Sequence, residues 1–223
     1  MMALDAKALK KIEEAYDSEP WWYDVRGFFI LTFAYRSTLW EQIGFFGGNI
    51  GPRHLEAAIG SGTLLDIILK WRRFRGRPIH EIVGFDYAEP MLAGAIRRFR
   101  KTPGISLAKS DAADLEFPDD SFDTANVANA VHCFPDVDGA FRELRRVLKP
   151  GGTLAINVLL YPRGNALARG IAQRINDWGM KKGILYTPYE EDDVRRRLLG
   201  AGFVITREWV RGNTYNVLAT KPA

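Results

Sequence analysis

The sequence predicts a doubly wound α/β fold, in which a mostly parallel seven-stranded sheet carries helices on both faces and ends in an antiparallel hairpin. From His54 onward, short β-rich runs alternate with segments of helical periodicity, and strands joined through helices form right-handed crossovers within a parallel sheet. The last two strands, predicted at 203–210 and 214–220, are joined by only three residues. They must therefore pair as an antiparallel hairpin.

The other elements follow from hydrophobic periodicity and from turn residues. The strands are predicted at 54–59, 81–85, 105–108, 123–131 and 153–160, and the helices between them at 63–74, 89–101 and 136–148. Lys149–Gly152 predicts a sharp break in the chain before the strand that begins at Thr153.

One more helix is predicted before the hairpin. Thr187 and Glu190 have the spacing of a capping box, and Pro188 suits the first helical position. This helix is expected to end at Leu199, because Gly200 then follows it directly.

Two segments fall outside this alternation. Residues 1–53 are predicted to form an aromatic-rich, helical N-terminal cap, and 161–186 a helical insertion in a domain that spans 54–223. Both could lie over the carboxyl edge of the sheet, where doubly wound folds bind ligands. Their aromatic side chains could equally be the buried faces of packing helices.

Composition restricts the class of protein. Of the 223 residues, 47% are hydrophobic and 26% are charged, close to the average of globular proteins. The apolar run 28–35 is too short to span a bilayer and does not follow a secretory pattern, so we expect a cytoplasmic protein. A single cysteine and three scattered histidines argue against a disulfide and against a metal centre.

The net charge of +4 comes with short basic clusters that could contact phosphates. The clusters are 72–77, 97–101 and 195–197. Because each lies near a predicted helix end, where cations complement the helix dipole, we favour a solvated helical surface over a nucleic-acid interface.

A glycine turn at Gly60-Ser61-Gly62 follows the first strand and leads directly into a helix. Glycines there let the backbone approach a ligand closely. Dinucleotide enzymes also carry such turns, but their third glycine would fall at Leu65. The carboxylate of Glu56 would repel phosphates and suits a ligand with an ammonium group.

Asp86 ends the second strand, 24 residues after Gly62. A carboxylate there can accept hydrogen bonds from two adjacent ribose hydroxyls, which fits NAD or an adenosyl cofactor. The alternative for Asp86 is a helix N-cap.

Taken in order, the motifs resemble those of the class I S-adenosylmethionine-dependent methyltransferases, in particular the small-molecule branch that includes the quinone-biosynthesis C-methyltransferases. The resemblance covers about 54–160 plus the C-terminal hairpin. Its markers are Glu56 through Gly62, Gly84-Phe85-Asp86 with Met91-Leu92, Asp111-Ala112, 117–123, 148–152 and Gly202-Phe203. It implies a Rossmann-like methyltransferase fold with S-adenosylmethionine as cofactor and S-adenosylhomocysteine as product.

The resemblance also implies residue roles around the methionine half of the cofactor. Gly60, Ser61 and Gly62 would pass beneath it, and Glu56 would hold its ammonium group. Asn129 and the backbone up to His132 would lie beside the sulfonium.

For the nucleoside half, the resemblance implies that Asp86 binds the ribose and that Phe85 or Tyr87 flanks the adenine. Asp111 would accept from the adenine amino group, and the Ala112 N–H would donate to a ring nitrogen.

The chain departs from the family pattern at two positions. The family usually has a glycine at the position of Ala58 and Ser or Thr at that of Ala88. The extra methyl group of Ala58 could narrow the cofactor channel slightly.

A sulfonium methyl is already a strong electrophile, so the protein needs mainly to hold a nucleophile in line behind it in a water-poor site. If the nucleophile is a hydroxyl or an acidic carbon, a base helps, and His132 is the candidate catalytic residue. His132 could instead only pack against the site. Tyr16 and Tyr23 are weaker candidates, which could close over the cofactor carboxylate.

The aromatic cap and insertion favour a small apolar or aromatic acceptor, methylated on carbon, oxygen or nitrogen. The candidate substrate-binding residues are Tyr16, Trp22, Trp178 and Tyr186. The alternatives are an RNA methyltransferase and a non-catalytic S-adenosylmethionine-binding protein. Against RNA, 126–129 lacks the Pro-Pro-aromatic sequence of base-amino methylation. The protein could be a monomer or a homodimer.

Overall fold

The computed structural model describes residues 38–78, 81–163, 165–181 and 188–223. Its helices are α1 Leu39–Gly48, α2 Thr63–Phe74, α3 Glu89–Phe99, α4 Val137–Val147, α5 Ala166–Lys181 and α6 Glu191–Gly200. Its strands are β1 Arg53–Ala57, β2 Glu81–Asp86, β3 Ile105–Lys109, β4 Phe122–Val127, β5 Leu148–Leu159, β6 Val204–Arg211 and β7 Thr214–Thr220. A 3-10 turn, Val131–Cys133, follows β4.

The strands form a single sheet in the order β3-β2-β1-β4-β5-β7-β6. The pairs from β3 to β5 are parallel, whereas β7 runs antiparallel to both β5 and β6. This arrangement confirms the predicted fold class. The strand order reverses between β1 and β4, which makes their carboxyl ends the topological switch point where such sheets bind ligands.

Two buried clusters cover the two faces of the sheet. On one face α4 packs through Phe141 and Leu144, and on the other α1 and α2 pack through Phe46, Leu65 and Ile68. Each of these side chains is fully or almost fully buried. Burial of one such side chain stabilises the fold by about 1.5–3 kcal/mol, so the helices are held chiefly by these apolar faces.

Helix α1 is the described part of the predicted N-terminal cap. It begins at a capping box between Thr38 and Glu41. It ends at Asn49, whose amide donates to the Ala125 carbonyl at 3.0 Å and accepts from the Thr153 hydroxyl at 2.6 Å. The end of α1 is therefore hydrogen-bonded to both β4 and β5.

The start of the last helix differs from the prediction. Helix α6 begins at Glu191 after the N-cap Glu190, which makes no side-chain capping bond. Tyr189 instead pairs with Leu160 in an isolated bridge. The predicted capping box is wrong, because the backbone of Tyr189 is still held at the edge of the sheet.

The end of that helix also lies later than predicted. Helix α6 continues through Gly200, and the left-handed residue that ends it is Gly202, with φ +88°. The Gly202 N–H donates to the Leu199 carbonyl at 2.9 Å, as in a helix C-cap.

Two strand boundaries were also wrong. Strand β5 begins at Leu148, because Lys149–Gly152 continues the strand instead of breaking it. The Gly151 N–H donates to the Lys221 carbonyl, and the Lys221 N–H donates to the Gly152 carbonyl. Strand β4 ends at Val127 because Asn129 turns the chain with φ +56°.

None of the helices among the described residues is long and apolar enough to cross a bilayer. In the same part of the chain, no group of three or more His, Cys, Asp or Glu side chains is placed to hold a metal ion.

Strand β1 ends earlier than predicted because Ala58 adopts a left-handed conformation, with φ +52°. Glycine removes the clash that a Cβ makes in this conformation. It also raises the conformational entropy of the unfolded chain, which offsets part of the gain in stability. We expect Ala58→Gly to raise the free energy of unfolding by roughly 0.5–1 kcal/mol in urea denaturation.

The neighbouring Ala57, 1% exposed in β1, provides the matched control. Ala57→Gly is expected to lower the free energy of unfolding by about 1–2 kcal/mol, because it removes a buried methyl group without relieving strain. Equal losses in both variants would contradict the assignment of strain to Ala58.

Candidate functional site

The glycine turn lies at the carboxyl end of β1, at the switch point of the sheet. Gly60 and Gly62 have φ values of +59° and +76°. A Cβ on Gly62 would come within 2.5 Å of the Phe99 ring, whereas one on Gly60 would meet no described atom within 4 Å. Gly62 therefore permits packing of α2 against α3, and Gly60 leaves open space above the turn.

Asp86 joins the turn to the end of β2. Its carboxylate accepts from the Gly60 N–H at 2.7 Å and from the Ala88 N–H at 2.9 Å. Burial raises the pKa of Asp86 to about 6, against the lowering effect of hydrogen bonds from the amides of Gly60, Ala88 and Tyr87. The N-cap of α3 is Ala88, so Asp86 is not the helix N-cap.

Glu56 is 3% exposed and lies in a polar network between β1 and β4. Its Oε2 accepts from the Asn126 amide at 3.3 Å and lies 3.1 Å from His54 Nε2. His54 Nδ1 lies 2.7 Å from the Thr124 hydroxyl oxygen, which accepts from the Gly51 N–H. A Thr124 hydroxyl that donates to Nδ1 leaves the proton on Nε2, which then donates to Glu56.

His54 and Asn126 were missed in the sequence. His54 precedes Glu56 by two residues, so their side chains lie on the same face of β1, and that spacing was the available signal. The pairing register places Asn126 opposite Glu56 on β4. The contact between Asn126 and Glu56 depends on the strand order, so the sequence around either residue does not predict it.

A cluster of three amides fixes the loop after β4. Gln42 and Asn129 exchange hydrogen bonds at 2.9 and 3.3 Å. Asn157 accepts from the Asn129 N–H and donates to its side-chain oxygen at 2.7 Å. Gln42 and Asn157 are 2% and 0% exposed, so α1 and β5 together hold the left-handed conformation of Asn129. Sequence reasoning found only Asn129 of the three.

His132 lies in the 3-10 turn directly after this loop and is 7% exposed. Burial lowers the pKa of His132 to about 4. Its imidazole is therefore neutral around pH 7 and is a weaker base than a solvent-exposed imidazole.

The remaining candidates lie around the same edge of the sheet. Ser61 is buried with its hydroxyl 3.0 Å from that of Thr63. Asp111 follows β3, accepts from the Ala113 N–H at 2.9 Å and precedes the buried Ala112. Tyr87 follows β2, with the Lys109 ammonium 5.5 Å from its ring centre.

Among the candidate cofactor residues, the structure shows a direct hydrogen bond between Asp86 and Gly60. Trp178, a candidate substrate residue, lies on α5 and is 40% exposed. Tyr16, Trp22, Tyr23 and Tyr186 lie outside the described residues.

A doubly wound sheet with a glycine turn and a carboxylate near its switch point is typical of nucleoside-binding α/β proteins. Residues 55–156 match the family model described as a methyltransferase domain. This match confirms the resemblance found in the sequence.

Curated relatives agree with this assignment. The chain is 34% identical over 123 residues to the 2-phytyl-1,4-naphtoquinone methyltransferase of Synechococcus elongatus, covering 53% of this chain and 51% of the relative. It is 31% identical over 170 residues to the ubiquinone/menaquinone biosynthesis C-methyltransferase of Pseudomonas aeruginosa. This alignment covers 74% of this chain and 64% of the relative. The chain thus spans about half to two thirds of the length of these relatives.

Solved structures share the fold. A chain in the complex between the Trm112 methyltransferase activator of Haloferax volcanii and a methyltransferase aligns with a TM-score of 0.68 at 20% identity, covering 92% of this chain and 97% of that chain. The phosphoethanolamine N-methyltransferase 2 of Haemonchus contortus, in complex with S-adenosyl-L-methionine, aligns with a TM-score of 0.65 at 17% identity. The alignment covers 82% of this chain and 52% of that chain. At such identities the likeness concerns the fold alone.

The amide cluster gives a testable prediction. Gln42→Leu removes one of the two partners of the Asn129 side chain and leaves its Nδ2 without the acceptor that Gln42 provides. We expect the free energy of unfolding to fall by about 1–3 kcal/mol, the usual cost of an unsatisfied buried polar group.

Gln173→Leu is the matched control, because Gln173 is exposed and donates to Asp177 in the same helix. It should change the free energy of unfolding by no more than about 0.5 kcal/mol. Identical urea midpoints for the two variants would contradict the role of Gln42.

Proposed function

We propose that the protein transfers a methyl group from S-adenosylmethionine to a small aromatic, quinone-like acceptor. The observation that carries this proposal is the hydrogen bond from the glycine turn to the Asp86 carboxylate at the switch point of a methyltransferase domain. The proposed domain runs over 54–223, with 1–53 as a cap and 161–186 as a substrate insertion.

The residues present suit this cofactor. The space above Gly60 can admit the methionine chain, since no described atom would meet a Cβ there. The Asp86 carboxylate has about four lone-pair sites, of which backbone amides use only part, so it can still accept from ribose hydroxyls. Acidic side chains at 56, 86 and 111 suit a cationic ligand without phosphates.

When bound, the cofactor supplies an activated methyl group on a sulfonium centre. The protein contributes position and exclusion of water. Asn129, fixed by Gln42 and Asn157, holds the loop that would lie beside the sulfonium. The neutral His132 that follows is the proposed proton acceptor. Because burial lowers its pKa to about 4, it is a weak base and suits a methyl acceptor whose proton is acidic.

The acceptor class is supported by the relatives. The Synechococcus and Pseudomonas proteins are named for methylation of a naphtoquinone and for quinone biosynthesis. A small aromatic acceptor also agrees with the aromatic residues of the predicted cap. A labelled-methyl assay on demethylated quinones, with mass spectrometry of the product, tests both the acceptor and the atom that is methylated.

Cofactor affinity should depend on pH through Asp86. The ionised carboxylate accepts from the ribose hydroxyls, whereas the protonated form loses this capacity in part. Since the pKa of Asp86 is about 6, affinity should be constant above that pH and weaken as the pH falls below it. Isothermal calorimetry with S-adenosylhomocysteine from pH 5 to 8 measures this dependence.

In Asp86→Asn the affinity should fall by roughly ten- to hundredfold at pH 7.5, and the pH dependence should disappear. Glu89→Gln is the control, because the Glu89 carboxylate is exposed and pairs with Lys109. An Asp86→Asn variant with the wild-type affinity would overturn the proposed cofactor site.

His132→Asn tests the proposed base. We expect kcat to fall by about 10–10²-fold, at or below the lower end of the usual contribution of general acid–base catalysis, because the lowered pKa makes the imidazole a weak base; cofactor affinity should be nearly unchanged. Cys133→Ser, one residue further in the same turn, serves as the control for local packing. Unchanged turnover in His132→Asn would leave the histidine with a packing role only.

A further inference from the structure

Helix α5 belongs to a segment whose two ends meet at the carboxyl edge of the sheet. The chain leaves the sheet at Leu160 and returns at Tyr189, and these two residues form a parallel bridge. The Tyr161 N–H donates to the Tyr189 carbonyl at 3.1 Å, and the Tyr189 N–H donates to the Leu159 carbonyl at 2.9 Å. Since β4 and β5 are parallel, this is the edge that carries the glycine turn.

One side of α5 is buried. Ala172 and Asn176, one helical turn apart, are 0% and 2% exposed. Ile171 and Trp178 lie on a different side of the helix and are 44% and 40% exposed. Asn176 therefore lies on the buried side of α5, whereas the predicted substrate residue Trp178 is partly open to solvent.

Within the part of the chain that the structure describes, the amide of Asn176 has no hydrogen-bond partner at either its nitrogen or its oxygen. Asn126 and Asn157, which are also buried, are both hydrogen-bonded to protein groups. An unsatisfied buried polar group is costly, and native proteins keep such groups rarely and at positions that require an explanation. A ligand that forms hydrogen bonds with both the nitrogen and the oxygen of this amide would explain why the group is kept.

We propose that Asn176 is a specificity-determining residue that binds a hydroxyl group of the methyl acceptor. This inference rests on the proposed function. A single hydroxyl can donate to Oδ1 and accept from Nδ2, so it satisfies both atoms. The neutral amide favours a phenol-like hydroxyl over a charged group or a bare hydrocarbon ring.

The test compares Asn176→Leu, Asn176→Ala and the control Gln173→Leu, which lies exposed on the same helix. The probe is naphthalene-1,4-diol, kept reduced, and naphthalene is the analogue without hydroxyls. Calorimetry measures their binding in the presence of S-adenosylhomocysteine. Differential scanning fluorimetry measures the unfolding midpoint of each free protein.

Asn176→Leu is expected to weaken binding of the diol at least tenfold and to leave binding of naphthalene and S-adenosylhomocysteine unchanged. The same variant should raise the unfolding midpoint by about 2–4 °C, because it replaces an unsatisfied amide with an apolar group of similar size. Asn176→Ala should weaken diol binding equally. A purely structural asparagine would give neither the selective loss nor the gain in midpoint.

Wild-type affinity for the diol in Asn176→Leu would overturn the inference, as would a lowered midpoint in that variant or the absence of diol binding to the wild-type protein. Failure of the proposed function gives a different pattern. In that case S-adenosylhomocysteine does not bind the wild-type protein, while binding of the diol alone still decides the role of Asn176.

Discussion

The hydrogen bond between the Gly60 N–H and the Asp86 carboxylate is the interaction on which the site depends. It joins the carboxyl ends of β1 and β2, directly beside the point between β1 and β4 where the strand order reverses. Burial disfavours the ionised carboxylate, and three backbone amides partly compensate, which leaves its pKa at about 6. The group that orders the turn is therefore also charged, hydrogen-bonded and ready to accept from a ligand at neutral pH.

Polar groups on the other side of the turn hold the neighbouring strands in register. Glu56 bonds to Asn126 across β1 and β4, and Asn129 bonds to Asn157 across β4 and β5. Such groups are costly to bury unless each finds a partner, so they favour one alignment of the strands over others. The same bonds fix the backbone beside which the reactive centre of the proposed cofactor would lie.

The strand–helix alternation, the glycine turn and Asp86 could be predicted from sequence because their signals are local. The partners of Glu56 and Asn129 could not, since Gln42 and Asn129 lie 87 residues apart and meet only in the folded sheet. The predicted capping box before α6 failed for the same reason. Its residues have the right spacing, but backbone pairing of Tyr189 with Leu160 holds the chain in the sheet for longer.

Methyl transfer from a sulfonium requires little more of a protein than alignment and a dry site, so the sheet edge can remain the same while acceptors change. Selection among acceptors then falls to elements outside the alternation of strands and helices. In this chain α1 supports the loop after β4, and α5 carries a buried amide without a partner among the described residues. The sheet thus carries the proposed cofactor site, and the added segments are where we expect differences in acceptor to arise.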